Sequence, residues 1–124
     1  MGIYSPPAAT RSGNSSRGQL GQARPTTTEA ESIYSPSAGY CAEVSSLAIC
    51  NNSDQAAEYS LFHDNDGAVF SEETALFFEI ELPAKTTVWL VDIKILMGNA
   101  SGNLGVKSSV SQAITFTAYG EESY

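Results

Sequence analysis

From residue 32 almost to its end the chain alternates apolar and polar residues with a period of two, and this alternation rules out most folds. Successive side chains of a strand point to opposite faces, so the pattern marks strands with one face buried; a helix would repeat every ~3.6 residues. ALFFEIEL (75–82) is the clearest run, with Leu76, Phe78, Ile80 and Leu82 expected inward and Glu79 and Glu81 outward. AAEYSLFH (56–63) sets Tyr59 and Leu61 on one face against Glu58, Ser60 and Phe62 on the other. SIYS (32–35) reads as a short strand closed by Pro36, and YCAEVSSLAICN (40–51) as a long one ended by Asn51-Asn52-Ser53-Asp54. TTVWLVDIKIL (86–96) is apolar on both faces around Val88-Trp89-Leu90-Val91, which predicts a central buried strand with Trp89 in the core or at a subunit interface. LGVKS (104–108) and QAITFTAYGEE (112–122) complete the series, the second with Ile114, Phe116 and Ala118 inward. Ser71 followed by Glu72 and Glu73 resembles a helix start of one turn at most.

About seven strands between turns, without a convincing helix, predict an all-β fold: an antiparallel β-sandwich of jelly-roll or immunoglobulin-like type. A length of 124 residues accommodates one domain of ordinary size.

Residues 1–31 follow different rules. Between Tyr4 and Ile33 the only large apolar residue is Leu20, and Gly, Pro, Ser, Thr and Gln dominate. Such a stretch buries too little surface to offset the entropy of ordering, so a flexible N-terminal arm is expected over 1–31 and the sandwich over 32–124. Charge divides at the same place. The arm carries Arg11, Arg17 and Arg24 against two Glu, while the body sets three Lys against twelve carboxylates. An acidic body argues against nucleic acid as a partner. The arm's arginines suit an acidic protein surface, or equally a solvated tail.

Inside the arm stands Ile3-Tyr4-Ser5-Pro6, repeated as Ile33-Tyr34-Ser35-Pro36. If the second copy opens the sandwich, the first is a candidate anchor that docks on a neighbouring subunit as residues 33–36 dock at home. An accidental match, or two unrelated Pro-terminated anchors, is the plainer alternative. The candidate partner-binding residues are therefore Ile3, Tyr4, Pro6, Arg11, Arg17 and Arg24.

Cys41 and Cys50 lie in one extended run, roughly 30 Å apart and of opposite parity, which predicts free thiols suited to a reducing cytoplasm. Neither a signal peptide nor a membrane span is expected, so the sequons at Asn14, Asn51 and Asn99 carry no weight.

Few stretches could carry chemistry. Aligned on an EF-hand loop, FHDNDGAVFSEE (62–73) sets Asp64, Asp66, Gly67 and Glu73 at the third, fifth, sixth and twelfth positions. Asp64, Asp66 and Glu73 are thus calcium candidates, but position one is Phe62, without a ligand atom. The same Asp-Asn-Asp-Gly is strong turn chemistry between strands. His63 beside Asp64 invites a triad reading, yet no Gly-x-Ser-x-Gly elbow accompanies it; a histidine at the sheet rim is the simpler reading. Glu79 and Glu81 have the spacing of a glycosidase pair and equally that of a solvated strand face. No phosphate loop or dinucleotide fingerprint occurs, so neither an enzyme nor a cofactor is expected.

The order of the pieces carries a resemblance. IYSP (33–36) is followed by AEVSSLAICNNS (42–53), HDNDG (63–67), TALFFEIELPAKTT (74–87), GNLGVK (102–107) and ITFTAYGEE (114–122). This resembles a class of small β-sandwich virion proteins of tailed bacteriophages. These typically show a strand with a "TPPA"-like turn, a "VxSIxVCNTS"-like strand, a "LPANxT"-like turn and a closing "FxxxGxE". The resemblance covers residues 32–122 and implies a capsid decoration (cement) protein or an accessory part of the neck, tail or fibres. It implies the major capsid protein or other virion proteins as partners, a homo-oligomer with a trimer favoured, and a virion location after assembly in the host cytoplasm. No catalytic residue, nucleic acid or membrane is implied. A carbohydrate-binding module for host attachment is the alternative from another class.

Overall fold

Alternation of apolar residues does produce a two-layer β-sandwich in the computed structural model, which describes residues 16–123. Nine strands follow in chain order: β1 (Ser16–Ala23), β2 (Glu31–Tyr34), β3 (Cys41–Asn51), β4 (Ala57–Asp64), β5 (Ala75–Leu82), β6 (Thr87–Leu90), β7 (Ile95–Met97), β8 (Asn103–Ser108) and β9 (Ile114–Ser123). One sheet runs β1-β9-β3-β6, with β7 also on β3; the other runs β2-β8-β4-β5. Every pairing is antiparallel. Between the layers Val44, Leu47 and Ile49 of β3 meet Tyr59 and Leu61 of β4, Leu104 and Val106 of β8, and Ile114, Phe116 and Ala118 of β9. The single helical turn falls where Ser71 precedes two acids: Glu72–Thr74 is a 3-10 turn whose Glu73 amide donates to the Ser71 hydroxyl.

Strand β1 corrects the expected boundary at residue 31. Residues 16–23, drawn from the presumed arm, pair along β9 from Ser16 opposite Glu122 to Ala23 opposite Phe116. The stretch is poor in apolar side chains, but backbone pairing needs none, and its one large apolar residue, Leu20, packs against the core. At Gly21 the backbone passes so close to the Ile33 carbonyl that a Cβ would lie 2.2 Å from that oxygen.

Strand β5 corrects the expected parity. Glu79 adopts φ 54, and between Phe77 and Ile80 the register with β4 shifts by a residue. This bulge places Phe77 and Leu82 on the inner face, opposite Leu61 and Ala57, while Ile80, paired with Tyr59, stays 41% exposed instead of facing inward as expected. Phe78 turns outward, against the buried Phe62 edge-to-face at 6.4 Å, and Phe70 from the following loop lies 5.8 Å from Phe62. Phe62 thus nucleates a small aromatic cluster on the outer face of its sheet.

The expected single strand over 86–96 is broken. Asp92 has φ 56, and β6 and β7 both lie along β3, opposite Leu47–Cys50 and Ala42–Val44 respectively. They form the end of their sheet instead of its centre; Val88 and Leu90 of β6 pack against the core, and Trp89 between them points to the uncovered outer face. Strand β3 carries a register shift of its own, between Val44 and Ser46. That extra residue reverses parity, so Cys41 and Cys50 share the outer face; both remain free thiols.

Candidate interaction surface

Two strands, β5 and β6, end their respective sheets, and the turn 83–86 joins them, so one flank of the sandwich is built from both. Apolar side chains stand exposed on both sheets at this end, on opposite outer faces of the sandwich. Leu76, Phe78 and Ile80 on β5, Trp89 on β6, Val91 after it and Leu96 on β7 are all exposed. Trp89 is 56% exposed and Leu96 59%. Single exposed apolar residues are ordinary, but several on strands at the ends of their sheets mark candidate contact surfaces, Leu76 and Phe78 on one sheet and Trp89 and Leu96 on the other. Trp89 reaches across Ala48 and Ser46, small residues on the neighbouring β3, to stack on Tyr119 of β9 at 5.9 Å and 24°. Their rings form one flat aromatic surface on the outer face of this sheet.

The opposite flank is polar and closely tied. Tyr34 of β2 donates its hydroxyl to the Glu122 carboxylate of β9, which also accepts from the Ser37 amide at 3.3 Å. Burial first, then this carboxylate, holds the phenol above the usual tyrosine range. Arg17 stands opposite Glu121 on β9 and Arg24 follows β1; both are exposed. Ile3, Tyr4, Pro6 and Arg11 lie outside the described residues.

At the end of β4 the Asp64 carboxylate accepts the Val69 amide at 2.8 Å and the Asp66 amide at 3.2 Å, and these two bonds hold its pKa below the usual carboxylate value. Asn103 closes the loop by donating its side-chain amide to the Gly67 carbonyl at 2.7 Å. Asp64 therefore organises the 64–69 turn. Among the described residues no group of three or more His, Cys, Asp or Glu is placed to hold a metal ion, and Asp64, Asp66 and Glu73 are not brought together. His63 lies on the face of β4 opposite Leu104, its buried Nε2 without a hydrogen-bond partner, while the carboxylate of Asp64 is committed to its own loop. On the outer face of the second sheet, Glu29, Glu58, Glu79 and Lys107 surround a depression of about 300 Å³ floored by Ser60. Ser60 accepts the Glu79 amide at 2.9 Å, so its hydroxyl supports the β5 bulge.

The sequence pattern missed Trp89, Val91 and Leu96 as surface residues. The signal was available in Asp92, a charge in the middle of the apolar run, and in the adjacent Phe77 and Phe78, which no single parity can bury together.

No protein-family model matches the chain, and no curated protein matches it. Among solved structures, a chain in the structure of infectious bursal disease virus Gx strain is similar at 11% identity and a TM-score of 0.46. The match covers 90% of this chain and 29% of that one, so this chain spans less than a third of its length.

Proposed function

We propose that this protein is a non-enzymatic virion structural component that works by covering and joining neighbouring subunits, as a capsid decoration protein of a tailed bacteriophage. The observation that carries the reading is the set of exposed apolar side chains on β5–β7, with Leu76 and Phe78 on one outer face and Trp89 and Leu96 on the other, together with Val91, on an acidic body. Burying such side chains against a partner removes apolar surface from water, at about 25 cal/mol per Å², while the surrounding carboxylates select against indiscriminate self-association. The motif order over 32–122 supports the same reading by its resemblance to phage β-sandwich proteins. Many weak copies together reinforce a shell more than any one contact does.

Quantitative mass spectrometry of purified particles tests this. High copy number on the scale of the major capsid protein is expected, together with a lower melting temperature for shells lacking the protein. A count set by one vertex or by the tail would move the protein to the neck, tail or fibres. Absence from particles would overturn the reading.

Exposed Trp89 stacked on the half-buried Tyr119 favours a second reading, a glycan-binding module for host attachment, because flat aromatic surfaces stack on sugar rings. Glycan-array binding by the wild type that Trp89→Ala abolishes would establish it.

A further inference from the structure

Residues 33–36 fill a slot whose walls all lie outside the tetrapeptide. Ile33 and Tyr34 pack against the core, and Pro36 is buried. The Tyr34 hydroxyl donates to Glu122, and the Ser35 hydroxyl reaches the carbonyls of Ala100 at 2.9 Å and Gly102 at 2.5 Å. Within its sheet the backbone of β2 pairs with β8 alone, so this segment is a terminal strand.

Every one of these side chains recurs, in order, in Ile3-Tyr4-Ser5-Pro6, and Ala8 matches Ala38 two residues beyond. Upstream, Gly2 stands for Ser32, whose backbone pairs with β8 and whose hydroxyl donates to Asn103; downstream, the two stretches differ where residues 37–39 do something other than grip the slot. Gly39 has φ 83 in the turn into β3, a conformation that strains an L side chain, and its counterpart is Ala9. The Ser37 amide donates to Glu122, and its counterpart Pro7 has no N–H. The first stretch therefore keeps the groups that fill the slot and lacks those that steer the chain into β3.

From this division we infer that residues 3–6 of one copy of the chain occupy the slot of residues 33–36 in a second copy. The exchange replaces four side chains by the same four, adding a strand from another chain to β8. It is near balance, and the tether of the home segment decides it in dilute solution, where the effective concentration of residues 33–36 exceeds that of any free copy. Crowding of copies, as in an assembly, tips it toward exchange. The inference concerns contact between copies and stands apart from any location in a virion.

A weakened home segment exposes the exchange in the full-length protein. With Ile33→Ala and Tyr34→Ala together, the chain should self-associate as its concentration rises, with its Tm climbing by roughly 3 °C or more per tenfold. Adding Ile3→Ala and Tyr4→Ala should remove both effects. Should the weakened chain fail to fold, an otherwise wild-type chain with a benzophenone amino acid at position 4 serves instead. In a concentrated mixture of isotopically heavy and light copies, the crosslink should join position 4 to the Glu122 region of the other isotope. Crosslinks confined to one isotope or scattered away from Glu122, or a Tm indifferent to concentration, overturn the proposal.

Discussion

The hydroxyl of Tyr34 donates to the carboxylate of Glu122, so the terminal strand of one sheet is held to the final strand of the other. A sandwich whose layers are joined mainly by apolar contact gains here a polar clasp at its edge, with the Ser37 amide on the same oxygen.

Alkaline pH should open this clasp. Burial and the neighbouring carboxylate raise the phenol's pKa above its unfolded value. A group raised in this way contributes stability in full below the unfolded tyrosine value, near pH ~10, and loses it as pH rises from there through the folded value. Tyr34→Phe should lower Tm at neutral pH and flatten the decline above pH ~10. Tyr59, raised by burial, supplies the decline that remains. Parallel Tm curves for wild type and Tyr34→Phe would show that the hydroxyl contributes nothing.

Acid should act on Asp64 with the opposite sign. The amides of Val69 and Asp66 hold its pKa below the unfolded value, so its contribution is complete above the ordinary carboxylate range and is lost as pH falls through that range to the lowered value. Asp64→Ala should destabilise at pH 7 and converge on wild type in strong acid. Hydrogen exchange at the Asp66 and Val69 amides should quicken in the variant. Unchanged protection at these two amides would contradict the role assigned to this carboxylate.

Asn51 closes the far end of β3 without leaving a side-chain polar group idle. Its amide nitrogen donates to the carbonyls of Leu82 and Gln55, and its oxygen accepts from the amide and hydroxyl of Ser53. The residue is fully buried, so Asn51→Ala strands the Leu82 carbonyl inside the protein. A loss of about 3 kcal/mol in urea unfolding is expected. A loss under about 1 kcal/mol would mean that water or a rearranged turn replaces these bonds.

The class of fold was legible because alternation survives wherever one face is buried, as along Ala57–Leu61 and Ile114–Ala118. Bulges were not legible. Glu79 and the Val44–Ser46 step each insert one residue, and one residue is enough to exchange the faces of everything beyond it. Hence Leu76 and Phe78 moved outward and Cys50 joined Cys41 on one face. Strand β1 was missed for a different reason: a strand recruited by backbone pairing along β9 shows no apolar pattern. The Asp64 turn was visible as turn chemistry, whereas the exposure of Trp89 depended on which face of β6 meets the core, and an apolar run with large residues on both faces does not say which.

Glycine substitutions separate close backbone packing from mere flexibility. A Cβ at Gly120 would sit 2.0 Å from the Glu43 carbonyl oxygen, beside the β3 bulge, and one at Gly21 would sit 2.2 Å from that of Ile33. Neither neighbour is a side chain that can swing aside, so the strands must part. Gly98 is the control, since nothing lies within 4 Å of its Cβ position. Gly120→Ala and Gly21→Ala should each cost about 1–3 kcal/mol, against a change within about 0.5 kcal/mol for Gly98→Ala. If all three behaved alike, the penalty would arise in the unfolded chain, and the close approaches of β9 to β3 and of β1 to β2 would not be what fixes these glycines.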